Sequence, residues 1–303
     1  MGNLDENYHL VWISDASLAD ILHASTWLST TQELRNMGWK VTLITSGFDG
    51  EGEIQGVNVF GINRPSIYLL KQVIYHGKII RFLWQQKLKV DFILFHEITS
   101  IWMILPRFLD ILFRAKTRPL YVLDTRTLPM VLTGEKTFKE SIRSNYHKII
   151  DRWGHLWSDG RTLITKRMAE EVKTPVEKIW GIWPSGVKID DFSSTLSKRV
   201  YPDDRDPVII TYIGSLDSIR NLMALSKAVV KVNNEGVKFR LILVGEGNEK
   251  QALKEFAGNS GDTIIVMDHV NHEKIPGLLT KAHVGALVFP DDVIFCVSSP
   301  IKL

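Results

Sequence analysis

One pattern constrains this chain more than any other: short apolar runs alternate with longer segments of helical period, and the alternation is run through twice. Four to six β-branched or aliphatic residues followed by an amphipathic stretch are what parallel strands joined by crossover helices require. In the first half, strands are expected at His9–Ile13, Lys40–Thr45, Val57–Phe60, Asp91–Phe95, Pro119–Leu123, Arg161–Thr165 and near Lys178–Ile182. Helices are expected at 23–37, ending at Gly38, at 67–86, and from the fourth strand to about Arg114. Leu69, Leu70, Val73, Ile74, Ile80, Leu83 and Trp84 share one stripe of the second helix. The periodicity disappears in DDFSSTLSKRVYPDDRD, between Asp190 and Asp206, which reads as a linker. It then restarts with strands at Val208–Ile213, Phe239–Val244, Thr263–Val266 and Val284–Phe289, and helices at 219–233, 248–257 and from Glu273. The expectation is an α/β chain of two Rossmann-like doubly wound domains, 1–192 and 207–303, joined by residues 193–206. Folds of this kind bind ligands at the carboxyl ends of their strands, here in a cleft between two sheets.

Length and composition permit this. A chain of 303 residues fits two domains at ~100–200 residues each, and 45% apolar residues can fill two cores. The lone cysteine, Cys296, rules out an internal disulfide and any cysteine-based zinc cluster, which fits a reducing compartment; it reads as a small buried thiol. The start, MGNLDENYHLVWI, is acidic before it is apolar, unlike a secretory signal, and no apolar stretch reaches the ~18–20 residues that span a bilayer. A cytoplasmic chain is expected.

Net charge is only +3, but it is unevenly placed. Residues 71–120 carry Lys71, Lys78, Arg81, Lys87, Lys89, Arg107, Arg114, Lys116 and Arg118 against three acidic residues, with Tyr75, Phe82, Trp84 and Trp102 interleaved. Either these are solvated helix faces whose aromatics point into the core, or they form a face that rests on anionic lipid at the inner side of a membrane. No nucleic-acid partner is expected.

Phosphate-loop, nucleophile-elbow and zinc-protease signatures are absent, as is G-x-G-x-x-G after the first strand. Gly245-Glu246-Gly247 follows a strand and precedes a helix, so amides there could face an anion. Asp268-His269 with His272 has metal-like residue types, but reads as a polar turn. YIGSLDSIRNL says more. Gly214 ends a strand and allows close approach of a ligand, the following helix start favours negative charge, and Arg220 can make a bidentate contact to phosphate oxygens. At the end of the chain, Ser298-Ser299-Pro300 is the start of a helix, with serine as cap and proline at the first position.

YIGSLDSIRN, LILVGEGNEKQAL and VNHEKIPGLLTKAHVGALVFP, in this order and spacing, resemble the donor-binding domain of the group 1 glycosyltransferases, the retaining family 4 enzymes of GT-B fold. The first segment of that family reads G-R-L-x-x-x-K-G, with arginine and lysine gripping the diphosphate of a nucleotide sugar. Here Ser215 stands at the arginine position, Arg220 at the lysine position and Asn221 at the second glycine. ILHASTWLSTTQELRNMGWKVTLITSG, VDFILFHE and WPSGVKIDDF are similar to segments of the amino half, although Ser14-Asp15-Ala16 replaces the acceptor-side glycine pair. His96 matches the histidine near the reacting sugar carbon. Two glutamates eight positions apart usually follow the ALVFP strand. Val297 stands at the first position, and the second would fall two residues past Leu303, so the resemblance implies a chain truncated within its second domain.

The resemblance implies a hexosyltransferase-like enzyme of polysaccharide biosynthesis. It would move a sugar from a nucleotide diphospho-sugar to a hydroxyl of a glycan or lipid-linked acceptor, with retention, without an obligate metal or a permanently bound cofactor. The site it implies has His96 and Glu97 as catalytic residues. Gly214, Ser215, Leu216, Arg220, Gly245, Glu246, Val270, Ser298, Ser299 and Lys302 would lie on the donor, and Ser14, Asp15 and Arg126 on the acceptor. A GT-B nucleotide-sugar epimerase and a non-catalytic two-lobed binding protein are the alternatives. With its donor site cut short, the piece in hand would itself be inactive.

Overall fold

A computed structural model describes residues 8–17, 21–65, 67–86, 90–114, 116–128, 138–186, 189–190, 192–193, 201–203 and 206–299. The chain divides into two compact units, Met1–Gly186 with Val297–Ser299, and Val187–Cys296 with Pro300–Leu303. The residues expected as linker lie mostly outside the described ones.

The first unit is built on β1 (His9–Ser17), β2 (Lys40–Ser46), β3 (Gly50–Ile54), β4 (Val57–Ile62), β5 (Phe92–Phe95), β6 (Leu120–Thr125), β7 (Gly160–Leu163) and β8 (Ile179–Ile182). They form one sheet in the order β3-β4-β2-β1-β5-β6-β7-β8. All neighbours are parallel except β3, which turns back against β4. Buried strands such as β2, inward from Val41 to Ser46, explain why apolar runs located the sheet. β3 escaped that pattern because GEGEI is an exposed edge whose Glu51 and Glu53 discourage further pairing. Gln55 and Gly56 join it to β4, both at positive φ as a tight hairpin needs.

Helices α1 (Ile21–Asn36), α2 (Tyr68–Gln85), α3 (Glu97–Arg114), α4 (Phe138–Trp157) and α5 (Lys166–Glu171) flank the sheet. One core joins β1 and β5 to α2 through Val11, Ile13, Ile93, Phe95, Tyr75 and Ile79; a second, on Trp12, Leu43, Val59 and Leu94, packs against Leu28 of α1. α3 is unusual, because its inner face is polar. Thr99 meets His76 Nε2 at 3.3 Å, and Asp110 accepts from the Tyr121 hydroxyl at 2.7 Å and pairs with Arg114 at 3.2 Å. Each inward polar group thus has a partner, as burial demands.

Much of the cationic segment 71–120 is spoken for by neighbouring acids. Lys78 pairs with Asp49 at 2.7 Å, while Arg107 and Arg118 both reach Asp159 at 2.9 Å. Tyr75 and Phe82 are core residues and Trp102 packs against the core, whereas Trp84 stays exposed. These pairs tie down three of the cations, while Lys87 and Lys89 lie outside the described residues.

The second unit has β9 (Val208–Ile213), β10 (Phe239–Val244), β11 (Ile264–Met267) and β12 (Val284–Gly285), with helices α6 (Leu222–Asn234), α7 (Lys250–Gly258), α8 (Ile275–Leu279) and α9 (Val293–Cys296). Its sheet is parallel throughout, in the order β11-β10-β9-β12. Tyr212, Leu222, Leu241, Leu243, Leu253 and Ile264 form a separate core. β12 is two residues long, shorter than the expected strand to Phe289, because at the sheet edge only Val284 and Gly285 find a register with β9. Cys296 is exposed, against the expectation of a buried thiol: Ile294 and Phe295 take the inward positions of α9. All nine tryptophans, Trp12 to Trp183, belong to the first unit.

Candidate functional site

In the second unit, the turns that leave β9 and β10 interlock backbone to backbone. Gly214 N–H donates to the Val244 carbonyl at 2.9 Å, Leu216 N–H to the Glu246 carbonyl at 2.7 Å, and Glu249 N–H to the Leu216 carbonyl at 2.9 Å. A Cβ on Gly245 would stand 1.8 Å from the Gly214 carbonyl oxygen, and one on Gly247 2.3 Å from the carbonyl carbon of Leu216. The two glycines therefore serve loop-to-loop packing. Gly245 N–H is itself taken by the Met267 carbonyl at 3.2 Å, so it does not face an anion. Of the donor-side candidates Gly214, Ser215 and Leu216, the amides of Gly214 and Leu216 are spent within the fold, and the Leu216 side chain lies in the core. Among the described residues, Ser215 N–H has no such backbone partner.

Arg220 is placed by several groups at once. It closes a one-turn 3-10 helix, Ser218–Arg220, and its Nε donates to Ser215 Oγ at 3.4 Å. The Ser215 carbonyl is held by the Tyr212 hydroxyl at 2.9 Å. The guanidinium lies over the Phe289 and Phe295 rings at 4.9 Å and 5.0 Å, and those rings stack on each other. Its Nη1 is buried and has no hydrogen-bond partner among the described residues. A guanidinium held on an aromatic platform with one N–H unsatisfied is ready for an oxyanion. Asn221, next in the chain, has φ 51°, a left-handed conformation that asparagine tolerates and glycine prefers.

The neighbouring donor candidates are otherwise engaged. Glu246 pairs with Lys250 at 2.5 Å, and this hydrogen bond holds its carboxyl below the usual range. Lys250 and Lys254 hold Asp268 down at about 2, which makes Asp268-His269 the polar turn expected. Val270 is half-buried in that turn. Lys302 lies outside the described residues.

In the first unit, the register Ile13↔Phe95 sets Ser14 of β1 level with His96, the residue that follows β5. His96 leads into α3, and its Nε2 lies 3.8 Å from Glu97 Oε2. Its Nδ1 is buried without a partner among the described residues. Glu97 is 4% exposed and accepts from His147 Nδ1 of α4 at 3.2 Å. Burial alone would raise its pKa, but the His147 hydrogen bond and the charges of His96, His147 and Arg161 outweigh burial and keep the carboxyl below its ordinary value. Arg161, fully buried, is held by Asp151 and Thr125. His147, Asp151 and Arg161 were not foreseen, because two of them sit on α4, a helix for which no boundary signal stood out.

Arg126 donates to the Trp183 carbonyl at 3.2 Å and lies over the Trp183 ring at 4.9 Å, while the Trp183 indole donates to Asp124 at 3.2 Å. The Ser14 carbonyl accepts from the Tyr75 hydroxyl. Arg64 stacks on the Tyr75 ring at 3.6 Å with Nε and Nη2 buried and unpartnered among the described residues, a second waiting cation that sequence reading missed. Asp15 belongs to β1, and its side chain lies outside the described ones. Ser298 and Ser299 cluster with the first unit: Thr165 Oγ1 donates to the Val297 carbonyl at 2.8 Å and Ser185 N–H to Ser299 Oγ at 3.1 Å.

Neither a protein-family model nor a curated protein matches the chain. Solved structures do. The catalytic domain of starch synthase IV from Arabidopsis thaliana, bound to ADP and acarbose, superposes with a TM-score of 0.61 at 13% identity, over 93% of this chain and 78% of that one. TarM of S. aureus, in complex with fondaparinux, alpha-GlcNAc-glycerol and UDP, gives 0.60 at 7% identity, over 92% and 80%. WaaG, a glycosyltransferase involved in lipopolysaccharide biosynthesis, gives 0.59 at 12% identity, over 91% and 74%. The chain has the GT-B fold. Within this GT-B chain, the Arg220 platform belongs to the second unit and the His96, Glu97 and His147 cluster to the first.

Proposed function

We propose that the protein transfers a sugar from a nucleotide diphospho-sugar to a hydroxyl of a glycan or lipid-linked acceptor, with retention at the anomeric carbon. The observation that carries this reading is Arg220, whose buried Nη1 has no partner among the described residues and whose guanidinium is fixed on Phe289 and Phe295. A nucleoside diphosphate is already a good leaving group. The protein's main task is to stabilise the charge that builds on it, and a preorganised cation does so without reorganising as the bond breaks. Arg220 and the Ser215 amide take that role here, close to the amino end of α6. His96 and Glu97 are assigned to the acceptor hydroxyl, His96 polarising it and the Glu97 carboxylate keeping the imidazole oriented. Ser14, Arg64 and Arg126 are assigned to binding the acceptor. No metal takes part in this scheme.

Calorimetric titration with a panel of nucleoside diphosphates tests the reading. One of them binds, EDTA leaves its affinity unchanged, and Arg220→Ala weakens it at least tenfold, equivalent to ~1.4 kcal/mol. A protein that ignores every nucleotide but binds a free sugar is not a transferase, and an unchanged affinity in Arg220→Ala removes that residue from the site. Anomeric proton spectra of the product decide retention.

A further inference from the structure

The outer face of α3 is apolar without interruption. Its exposed positions are Ile101, Ile104, Leu105, Phe108, Ile111 and Leu112, followed by Phe113 at the last turn, and none carries a polar atom in its side chain. Glu97, Thr99, Ser100 and Asp110 of the same helix are buried, and its two arginines, Arg107 and Arg114, are paired with Asp159 and Asp110. α3 packs against α4, which continues the pattern. Ile142, Tyr146, Ile149, Trp153 and Leu156 follow one another at spacings of three and four and are all exposed. Contiguous exposed apolar surface of this kind marks an interaction site rather than ordinary solvent-facing surface.

The charges around this face identify what covers it. Beside the α4 stripe run Asn145, Lys148 and Arg152, and on α2, which also packs against α3, the exposed charge is Arg81. Among the described side chains of the three helices no acidic residue is exposed: Glu97 and Asp110 are buried, and Asp151 is turned to Arg161. A second copy of the chain would bring Lys148 and Arg152 toward their own counterparts, a like-charge arrangement that disfavours a two-fold interface. A phosphate backbone would find nothing to bind along α3. An apolar stripe with Trp, Tyr and Phe, whose charged border among the described side chains of these helices is cationic, matches a membrane surface, where the aliphatic groups enter the acyl boundary and Lys and Arg meet anionic headgroups. No described helix is long and apolar enough to cross a bilayer, so the face lies on the lipid and does not pass through it.

We propose that the α3–α4 face is a docking surface for anionic lipid. The inference is independent of the sugar-transfer reading, since it uses no residue assigned to either substrate. It also shifts the expected membrane contact from the cations of 71–120, of which Lys78, Arg107, Arg114 and Arg118 are paired within the fold, to the apolar stripes of α3 and α4.

Flotation of the purified protein with vesicles tests it, using phosphatidylcholine alone and phosphatidylcholine mixed with phosphatidylglycerol. The protein floats with the mixed vesicles and at least tenfold less with the neutral ones. Phe108→Ser combined with Leu112→Ser abolishes flotation, and Lys148→Glu combined with Arg152→Glu abolishes the preference for phosphatidylglycerol. All these positions are exposed, so thermal unfolding stays at the wild-type midpoint. Wild-type protein that floats with neither vesicle, or variants that float as the wild type does, overturn the proposal. So does sedimentation equilibrium showing a dimer that Phe108→Ser with Leu112→Ser turns into a monomer, because the face then belongs to a second copy.

Discussion

Glu97 shows how far a single residue could be read in advance. A carboxylate after a strand-end histidine was recognisable as a candidate, yet its behaviour depends on His147, fifty positions later on a helix that carried no motif. His147→Ala leaves a buried charge without its donor and is expected to cost about 1–3 kcal/mol in denaturant unfolding at neutral pH. The sign with pH follows from the direction of the shift. A carboxyl lowered in the folded state contributes stability above the ordinary glutamate value of 4.5 and loses it as pH falls through the lower folded value. The gap between wild type and His147→Ala therefore narrows in acid, and a gap that stays constant would show the histidine acting by packing alone. Arg220 was legible for a similar reason and incomplete in a similar way. A cation after a glycine turn announces itself, whereas its platform comes from Phe289 and Phe295, some seventy residues on.

Among elements, the buried parallel strands were legible because both their faces are apolar, and β3 and α4 were not. β3 has no apolar alternation, being an edge. α4 turns Ile142, Ile149 and Trp153 outward, so its stripe does not mark a core face. α4 follows from topology instead: parallel β6 and β7 are neighbours, and joining them needs a crossover. The interlocked turns after β9 and β10 also escaped, since Gly245 read as an anion-facing glycine and proved to be a point of contact between loops. Gly245→Ala meets the Gly214 carbonyl and adopts positive φ. It is expected to destabilise the second unit by about 1–3 kcal/mol, seen as a lower unfolding midpoint, and to weaken nucleotide binding by displacing Ser215. Asn221→Gly, at φ 51°, should leave both unchanged.

At the scale of the whole molecule, the doubled alternation gave two sheets, and the structure has both, each with buried apolar residues of its own unit packed on it. The separate cores make a calorimetric prediction. Leu243→Ala, at a fully buried position in the core of the second unit, removes about 2–5 kcal/mol and lowers one heat-absorption peak while leaving a second in place; a single peak shifted as a whole would show one cooperative unit instead. The docking face on α3 and α4 lay beyond sequence reading because a periodic apolar stripe is ordinarily assigned to a core, and on these two helices the stripe is exposed. The placement of every tryptophan in the first unit carries one more consequence. Indole emission from this protein, excited where tyrosine does not absorb, is a spectrum of that unit alone, so a nucleotide settling on Arg220 has no indole of its own unit to quench, and any change in that light on its addition is news from the other half of the chain.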